Sequence, residues 1–247
     1  MKTNFIKFVC CLTLLGAVAT APAQSSINGS LTTGANNSVN LTTLGTEDWA
    51  IWGYGSGGTS TSLAPDVSMA GGSGISSLTY LNPNSQPLRG LGQFALNYQF
   101  SWNNGNSVAS ASGARGGLQD NSGAGPGLGV GEGFSFTVPA STSEQVLDVF
   151  VDEHLGIGQF TAKLTDGTTY VNSAIPSGVN SPGEYTIDFA AATAGQTMTI
   201  TWKETSYTSS YDNAAIYAVT LGTVPEPTTL ALAGLGGLSL LLIRRRK

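Results

Sequence analysis

The sequence predicts an all-β protein whose central body is an antiparallel β-sandwich, with a jelly roll as the preferred topology and an immunoglobulin-like sandwich as the alternative. Three observations predict this fold. Between the two ends of the chain, no long stretch has the 3.6-residue apolar period of an amphipathic helix. Short segments in which apolar and polar residues alternate recur throughout the body. Turn-forming Gly, Pro and Asn residues separate these segments, and the chain contains 33 Gly.

The N-terminus has the three parts of a secretory signal peptide. Lys2 and Lys7 form its positive region, an apolar run follows over residues 8–18, and Ala21 and Ala23 are small residues at the spacing that signal peptidase reads. We therefore expect export by the secretion machinery and cleavage after Ala23, so that residues 1–23 are removed. A retained N-terminal membrane anchor is the alternative. Both cysteines lie inside this segment, so the mature chain would have no disulfide.

The body, residues 24–223, consists of candidate strands of two kinds. Alternating strands are expected at residues 94–102, 134–138, 160–164, 185–189 and 198–202, and more fully buried strands at 146–151 and 214–221. The pair Asp166 and Gly167 predicts a hairpin turn. Residues 24–45 are expected to form an edge strand or a flexible lead-in, and the glycine-rich residues 112–133 a long surface loop.

The charge of the body limits its partners. The whole chain has a formal charge of −5 from 10 Lys and Arg and 15 Asp and Glu. Six of the cations but only one acid, Glu226, lie in the two terminal segments, so the body carries ten more acids than cations. Such a body repels nucleic acid phosphates and anionic lipid. We therefore expect no nucleic acid partner, whereas sugars and divalent cations are compatible with this charge.

The residues of the body predict no catalytic site, and we expect a protein that is not an enzyme. His154 is the single histidine, the mature chain has no thiol, and no G-x-S-x-G sequence is present. No cofactor is expected except a structural calcium ion, because oxygen ligands are abundant. The candidate calcium ligands are Asp148, Asp152 and Glu153, with Asp120 as a further acid to test. A secreted hydrolase with an unrecognised site remains the alternative.

Aromatic side chains are the other candidates for binding, because their ring faces can stack on sugars. Trp102 and Trp202 fall on the apolar faces of their strands and are expected in the core. Tyr207 and Tyr211 lie in the polar segment TSYTSSY and are the candidate sugar contacts, with ordinary surface tyrosines as the alternative.

Residues 40–53 (NLTTLGTEDWAIWG), together with residues 100–105 and 215–221, resemble a jelly-roll module of secreted bacterial proteins. In that module a leucine-rich strand leads into a segment similar to Asp-Trp-x-x-Trp-Gly. The resemblance implies carbohydrate binding as an alternative function, and it identifies no ligand residues.

The C-terminus, residues 224–247, has three parts, of which the first is a motif with two prolines. The motif consists of Val224, Pro225, Glu226 and Pro227. Its prolines cannot continue a strand and favour an extended backbone, which a processing enzyme can bind.

An apolar segment and a basic end complete the tail. Residues 228–243 carry no charge, and as a helix they fall somewhat short of the ~20 residues that span a bilayer. The basic end consists of Arg244, Arg245, Arg246 and Lys247. Long basic side chains can extend to the interface and make up the missing length. The positive-inside rule keeps this end cytoplasmic, so the body would lie on the outer side of the inner membrane.

In this order the three parts resemble the PEP-CTERM sorting signal of Gram-negative bacteria. The resemblance implies that exosortase, a membrane cysteine transpeptidase-like enzyme, recognises the Pro-Glu-Pro motif and processes the tail. It also implies a final location at the cell surface or in the extracellular matrix, in bacteria that make exopolysaccharide and biofilm. A plain C-terminal anchor with a stiff linker is the alternative.

Overall fold

The computed structural model describes residues 23–34, 37–55, 60–72, 74–91, 97–120, 128–175, 178, 181–207 and 212–224. These residues are almost entirely strands, which confirms the predicted all-β class. A one-turn helix, α1, spans Leu41–Leu44 and is capped by Asn40, whose Oδ1 accepts a hydrogen bond from the Thr43 N–H (3.2 Å). The strands are β1 (Ser26–Thr33), β2 (Asn37–Asn40), β3 (Asp48–Ile51), β4 (Val67–Ser68), β5 (Thr79–Leu81), β6 (Leu88–Gly90), β7 (Tyr98–Trp102), β8 (Ala111–Ala114), β9 (Leu118–Asp120), β10 (Gly133–Ala140), β11 (Gln145–His154), β12 (Gly156–Leu164), β13 (Thr169–Asn172), β14 (Ser181–Ala190), β15 (Gln196–Tyr207) and β16 (Asn213–Thr223).

Eight of these strands have the order of a jelly roll. The first sheet contains the neighbours β3–β16–β11–β14, and the second contains β10–β15–β12–β13, all paired antiparallel. Between β10 and β16 the chain crosses from one sheet to the other at every connection except the β12–β13 hairpin. This is the double Greek key of a jelly roll, so the preferred topology is confirmed. Gly167, with φ of 97°, provides the left-handed turn of the predicted hairpin.

The main core lies between these two sheets and is formed by the inward residues of the alternating strands. On β10, for example, Phe134, Phe136 and Val138 point inward. The rings of Phe160 and Tyr185, from opposite sheets, stack with their centroids 4.1 Å apart. Burial of these apolar rows, at roughly 25 cal/mol per Å², holds the two sheets together.

A third sheet, β2–β7–β8, covers the outer face of the first sheet. A second core fills the space between them and includes Trp49, Phe100, Trp102, Phe150 and Tyr217. Strands β11 and β16 are therefore buried on both faces, which explains why residues 146–151 and 214–221 are apolar almost throughout.

Two predictions about irregular segments have different outcomes. Strand β1 pairs with β14 at the edge of the first sheet, as the edge-strand alternative for residues 24–45 predicted. The prediction of a surface loop over residues 112–133 is wrong in part, because β9 lies within this segment. β9 pairs with β16, and its Leu118 is completely buried. The glycines there serve close packing: Gly117 donates its N–H to the Trp52 carbonyl at 2.6 Å.

The two terminal segments lie largely outside the described residues. Ala23 is exposed at the start of the described chain, and Val224 is its last residue. The signal segment before Ala23, the motif residues after Val224, the apolar run and the basic end all fall outside it. Among the helices that are described, none has the length and apolar character needed to cross a membrane.

Candidate functional site

At one end of the sandwich, the inward-facing apolar residues of five strands are each followed or preceded by a buried acid. In each row an acid stands two residues from an apolar core residue, so strand alternation points both side chains inward. The pairs are Asp120 after Leu118, Glu132 before Phe134, Glu153 after Val151, Glu204 after Trp202 and Asp212 before Ala214. All five acids have no exposed surface. We call these five residues, Asp120, Glu132, Glu153, Glu204 and Asp212, the acidic cluster.

Two glycines allow the carboxyl groups of the acidic cluster to approach one another. A Cβ atom at Gly156 would overlap the Glu153 carboxyl group and lie 2.9 Å from Cδ of Glu204. A Cβ atom at Gly129 would overlap the Glu204 carboxyl group and lie 3.1 Å from Cγ of Asp212. The carboxyl groups of Glu153, Glu204 and Asp212 are thus neighbours around positions where only glycine leaves room.

The members of the acidic cluster differ in how well their oxygens are hydrogen-bonded. Glu132 accepts hydrogen bonds from the Tyr80 hydroxyl (2.7 Å) and the Asn84 N–H (3.2 Å). Oδ1 of Asp120 accepts one from the Ala214 N–H (3.0 Å). By contrast, Oδ2 of Asp120 and both oxygens of Glu153 and Glu204 are buried and accept no hydrogen bond from an N–H or hydroxyl group among the described residues. Buried oxygens without donors carry a large desolvation penalty.

Burial and mutual repulsion raise the pKa values of these acids. Burial raises the pKa of Glu153 well above its ordinary value, and the charges of three neighbouring carboxylates raise it further; these are Asp120, Asp152 and Asp212. Burial, a hydrogen bond shared with the Asp212 carboxyl group and the charge of Glu153 raise the pKa of Glu204 to about 11. Protons or a bound cation must therefore neutralise the acidic cluster.

The candidate calcium ligands predicted from the sequence occupy two faces of β11. Asp148 lies on the side of the second core, where the hydroxyls of Thr186 (2.9 Å) and Thr220 (3.0 Å) donate to it. Asp152 lies on the same side and accepts hydrogen bonds from the Asn97 amide (2.6 Å) and the Tyr217 hydroxyl (2.9 Å).

Glu153 alone of these three candidates points between the two jelly-roll sheets, into the acidic cluster. Asp120, the further acid to test, also belongs to the acidic cluster. Sequence reasoning missed Glu132 and Glu204. The signal for Glu204 was present, because it continues the inward row Met198, Ile200, Trp202.

The aromatic candidates divide between core and surface. The rings of Trp102 and Trp202 are buried, as predicted. Tyr207 is the last residue of β15, where its backbone pairs with Gly156 at the acidic end of the sandwich. Its side chain, like all of Tyr211, lies outside the described residues. β15 therefore ends, and β16 begins, beside the acidic cluster.

The opposite end of the sandwich leads into the C-terminal tail. β16 begins opposite His154 at the acidic end and finishes at Thr223, which pairs with Gln145. The Val224 N–H then donates to the Glu144 carbonyl at 3.2 Å. β16 has 11 residues, so at about 3.4 Å per residue the acidic cluster and the start of the tail are separated by roughly 35 Å.

Comparisons with known proteins identify the tail. Residues 223–247 match the family profile described as the PEP-CTERM protein-sorting motif. No curated protein matches the chain. Two solved structures are distantly similar to 62% of the chain, each with a TM-score of 0.35.

One of these structures is the enzymatically active domain of tailspike protein 4 from bacteriophage CBA120, at 13% identity; the match covers 20% of that chain. The other is a cyclase from Fischerella sp. TAU in complex with 4-(1H-indol-3-yl)butan-2-one, at 12% identity and with 90% of that chain covered. Both likenesses are too distant to carry an argument about function. The chain thus carries a PEP-CTERM sorting motif, which implies export, a membrane-anchored C-terminal signal and processing by exosortase.

Proposed function

We propose that this chain is a non-enzymatic protein of the cell surface or extracellular matrix, which exosortase processes and which associates with exopolysaccharide and biofilm. The match of residues 223–247 to the sorting motif is the observation that carries the proposal. It supports an exported protein with a C-terminal sorting signal; the matrix role, the polysaccharide and the absence of catalysis are the proposed part.

The structure supports a separation between a folded body and a removable tail. β16 is an inner strand of the first sheet, with β11 and β3 as neighbours, and its pairing continues up to Thr223. Pro225 follows one residue after Val224, so the motif begins where the last strand ends. Cleavage at or after the motif would remove no strand of the sandwich, and the processed body would keep its fold.

The test replaces Pro225, Glu226 and Pro227 together by alanine in the full-length chain, expressed in its native host. We expect the unchanged chain to lose its tail and leave the inner membrane fraction. The alanine variant should keep its full mass and stay in that fraction, because exosortase no longer recognises it. Thr228→Ala with Thr229→Ala is the matched control beside the motif, and it should be processed normally. Equal mass and location for the motif variant and the unchanged chain would overturn the proposal.

Carbohydrate binding by the body is a second candidate. It is favoured by the end of β15 at Tyr207 and the start of β16 at Asn213, which both lie at the end of the sandwich opposite Val224; Tyr211 stands between them in the sequence. Binding isotherms with neutral and acidic polysaccharides should show saturable binding that is lost in Tyr207→Ala or Tyr211→Ala. Ser209→Ala, in the same connection, is the control and should bind normally. A turnover screen on glycans and esters should show no hydrolysis, which tests the non-enzymatic part.

A further inference from the structure

The acidic cluster is the feature of the molecule that the sorting function does not use. Its central members, Glu153 and Glu204, have no exposed surface, and none of their four carboxyl oxygens accepts a hydrogen bond from an N–H or hydroxyl group among the described residues. They come from opposite sheets, β11 and β15, and meet at Gly156. Buried carboxyl oxygens without N–H or hydroxyl donors, brought together from two sheets around Gly156, indicate a missing positively charged ligand.

The chemistry of the donors selects the kind of ligand. The side chains of the acidic cluster are all carboxyl groups, so the site offers hard oxygen donors, which suit a cation such as Ca²⁺ rather than a metal that prefers sulfur or nitrogen. Ca²⁺ takes six to eight oxygens in a flexible arrangement, whereas Mg²⁺ demands a near-ideal octahedron and keeps several waters. Four carboxylates offer up to eight oxygens, so the donor set suits Ca²⁺ better.

We propose that the acidic cluster binds one Ca²⁺ ion through the carboxylates of Asp120, Glu153, Glu204 and Asp212. Glu132 stands beside this ligand set, with its oxygens engaged by Tyr80 and Asn84. As the side chains stand, no group of three or more acids, histidines or cysteines among the described residues has the arrangement needed to hold a metal ion. The ion would therefore draw neighbouring carboxylates into one coordination shell.

Such an ion would join the two sheets at the end of the sandwich opposite the tail. Asp120 and Asp212 belong to the first sheet or its border, as does Glu153, and Glu204 belongs to the second. The mature chain would have no disulfide to do this, because Cys10 and Cys11 are both in the signal segment. An exported protein would meet calcium outside the cell, so the ion would bind after export and stabilise the folded body.

The test uses the full-length chain in detergent, freed of metal with EGTA, at neutral pH. Calorimetric titration with CaCl₂ should show one ion bound per chain. At free Ca²⁺ about a hundredfold above Kd, the Tm should rise by roughly 5–10 °C relative to EGTA. Glu153→Gln and Glu204→Gln should weaken Ca²⁺ binding at least tenfold and abolish the rise in Tm.

Two readouts separate a ligand role from a merely structural one. Burial and neighbouring carboxylates raise the pKa of Glu153 and Glu204, so without metal these groups favour the neutral form that glutamine mimics; the Tm of each glutamine variant in EGTA should therefore equal or exceed that of the unchanged chain. A packing defect would lower it instead. Asp148→Asn is the matched control, because Asp148 is also a buried acid of β11 but accepts hydrogen bonds from Thr186 and Thr220. This variant should keep the full rise in Tm with Ca²⁺.

Two results would overturn the proposal. If the folded, unchanged chain binds no Ca²⁺ and its Tm is the same in Ca²⁺ and EGTA, protons alone neutralise the acidic cluster. If Ca²⁺ binds but both glutamine variants keep the full response, the ion lies elsewhere.

Discussion

Gly158→Ala should destabilise the protein because the glycine lies against the ring of a buried tryptophan. A Cβ atom at Gly158 would lie 1.8 Å from Cη2 of Trp202 and 2.5 Å from its Cζ2 and Cζ3 atoms. The φ angle of Gly158 is outside the left-handed region, so an alanine backbone fits and the cost is steric. Trp202 has no exposed surface and packs against Tyr185, with ring centroids 6.0 Å apart, so its ring cannot easily move away.

The expected cost lies at the upper end of the range for overpacked cores. Such substitutions cost about 1–3 kcal/mol, and an overlap with three atoms of a rigid ring should cost about 3 kcal/mol. For a domain of this size that corresponds to a decrease in Tm of roughly 6–12 °C. The loss is a large part of the ~5–15 kcal/mol by which a typical domain is stable.

A double-mutant cycle with Trp202→Phe measures the clash itself. Phenylalanine lacks the three ring atoms that meet the new methyl group, and the Trp202 indole N–H has no hydrogen-bond partner among the described residues to lose. Trp202→Phe alone should cost roughly 1–2 kcal/mol for the cavity it leaves. The double variant should cost about the same, which gives a coupling of about 2–3 kcal/mol in denaturant unfolding. Additive costs, within about 0.5 kcal/mol, would refute the steric reasoning.

Two other substitutions test hydrogen bonds that hold loops and strands. Asp48→Ala removes the acceptor for the N–H groups of Trp49 (2.8 Å), Gly74 (2.7 Å) and Ile75 (2.9 Å), and should cost about 2–4 kcal/mol in denaturant unfolding; a cost within 0.5 kcal/mol of zero would contradict this. Tyr217→Phe removes the hydroxyl that donates to Asp152 (2.9 Å) in a buried position and should cost about 1–2 kcal/mol, while an unchanged midpoint would show that this hydrogen bond contributes nothing net.

The jelly roll was predictable because its strands have one face in the main core. On β15, the inward residues Met198, Ile200 and Trp202 alternate with threonine and lysine, which is the pattern of a strand buried on one face. β16 lacks alternation because the third sheet covers its second face. That continuous apolar run predicted double burial, although nothing local identified what covers it.

The third sheet itself could not be predicted from local patterns. Val39 of β2 lies beside Phe100 of β7, in parallel, although some sixty residues separate them in the chain. β2 is only four residues long and mostly polar. The glycine-rich segment after residue 112 shows a second difficulty, because glycine occurs both where a chain turns and where two backbones approach closely. Gly117, in contact with Trp52, belongs to the second kind.

In the acidic cluster, the charge of a residue and the two-residue period of its strand give opposite predictions of its burial. The strand period gives the correct one. A glutamate after Trp202 would ordinarily be assigned to the end of the strand and to solvent, because charged residues are rarely buried. The period of two instead places Glu204 in the inward row, and β11 does the same for Glu153 after Val151.

The sorting tail and the acidic cluster lie at opposite ends of β16. Its last residue leads into the sorting tail, and its first stands beside the acidic cluster, so the two ends of one inner strand mark the two ends of the body. The proposed calcium ion would thus join the two sheets at the end of the sandwich opposite Val224, so that processing of the tail would leave its ligands in place.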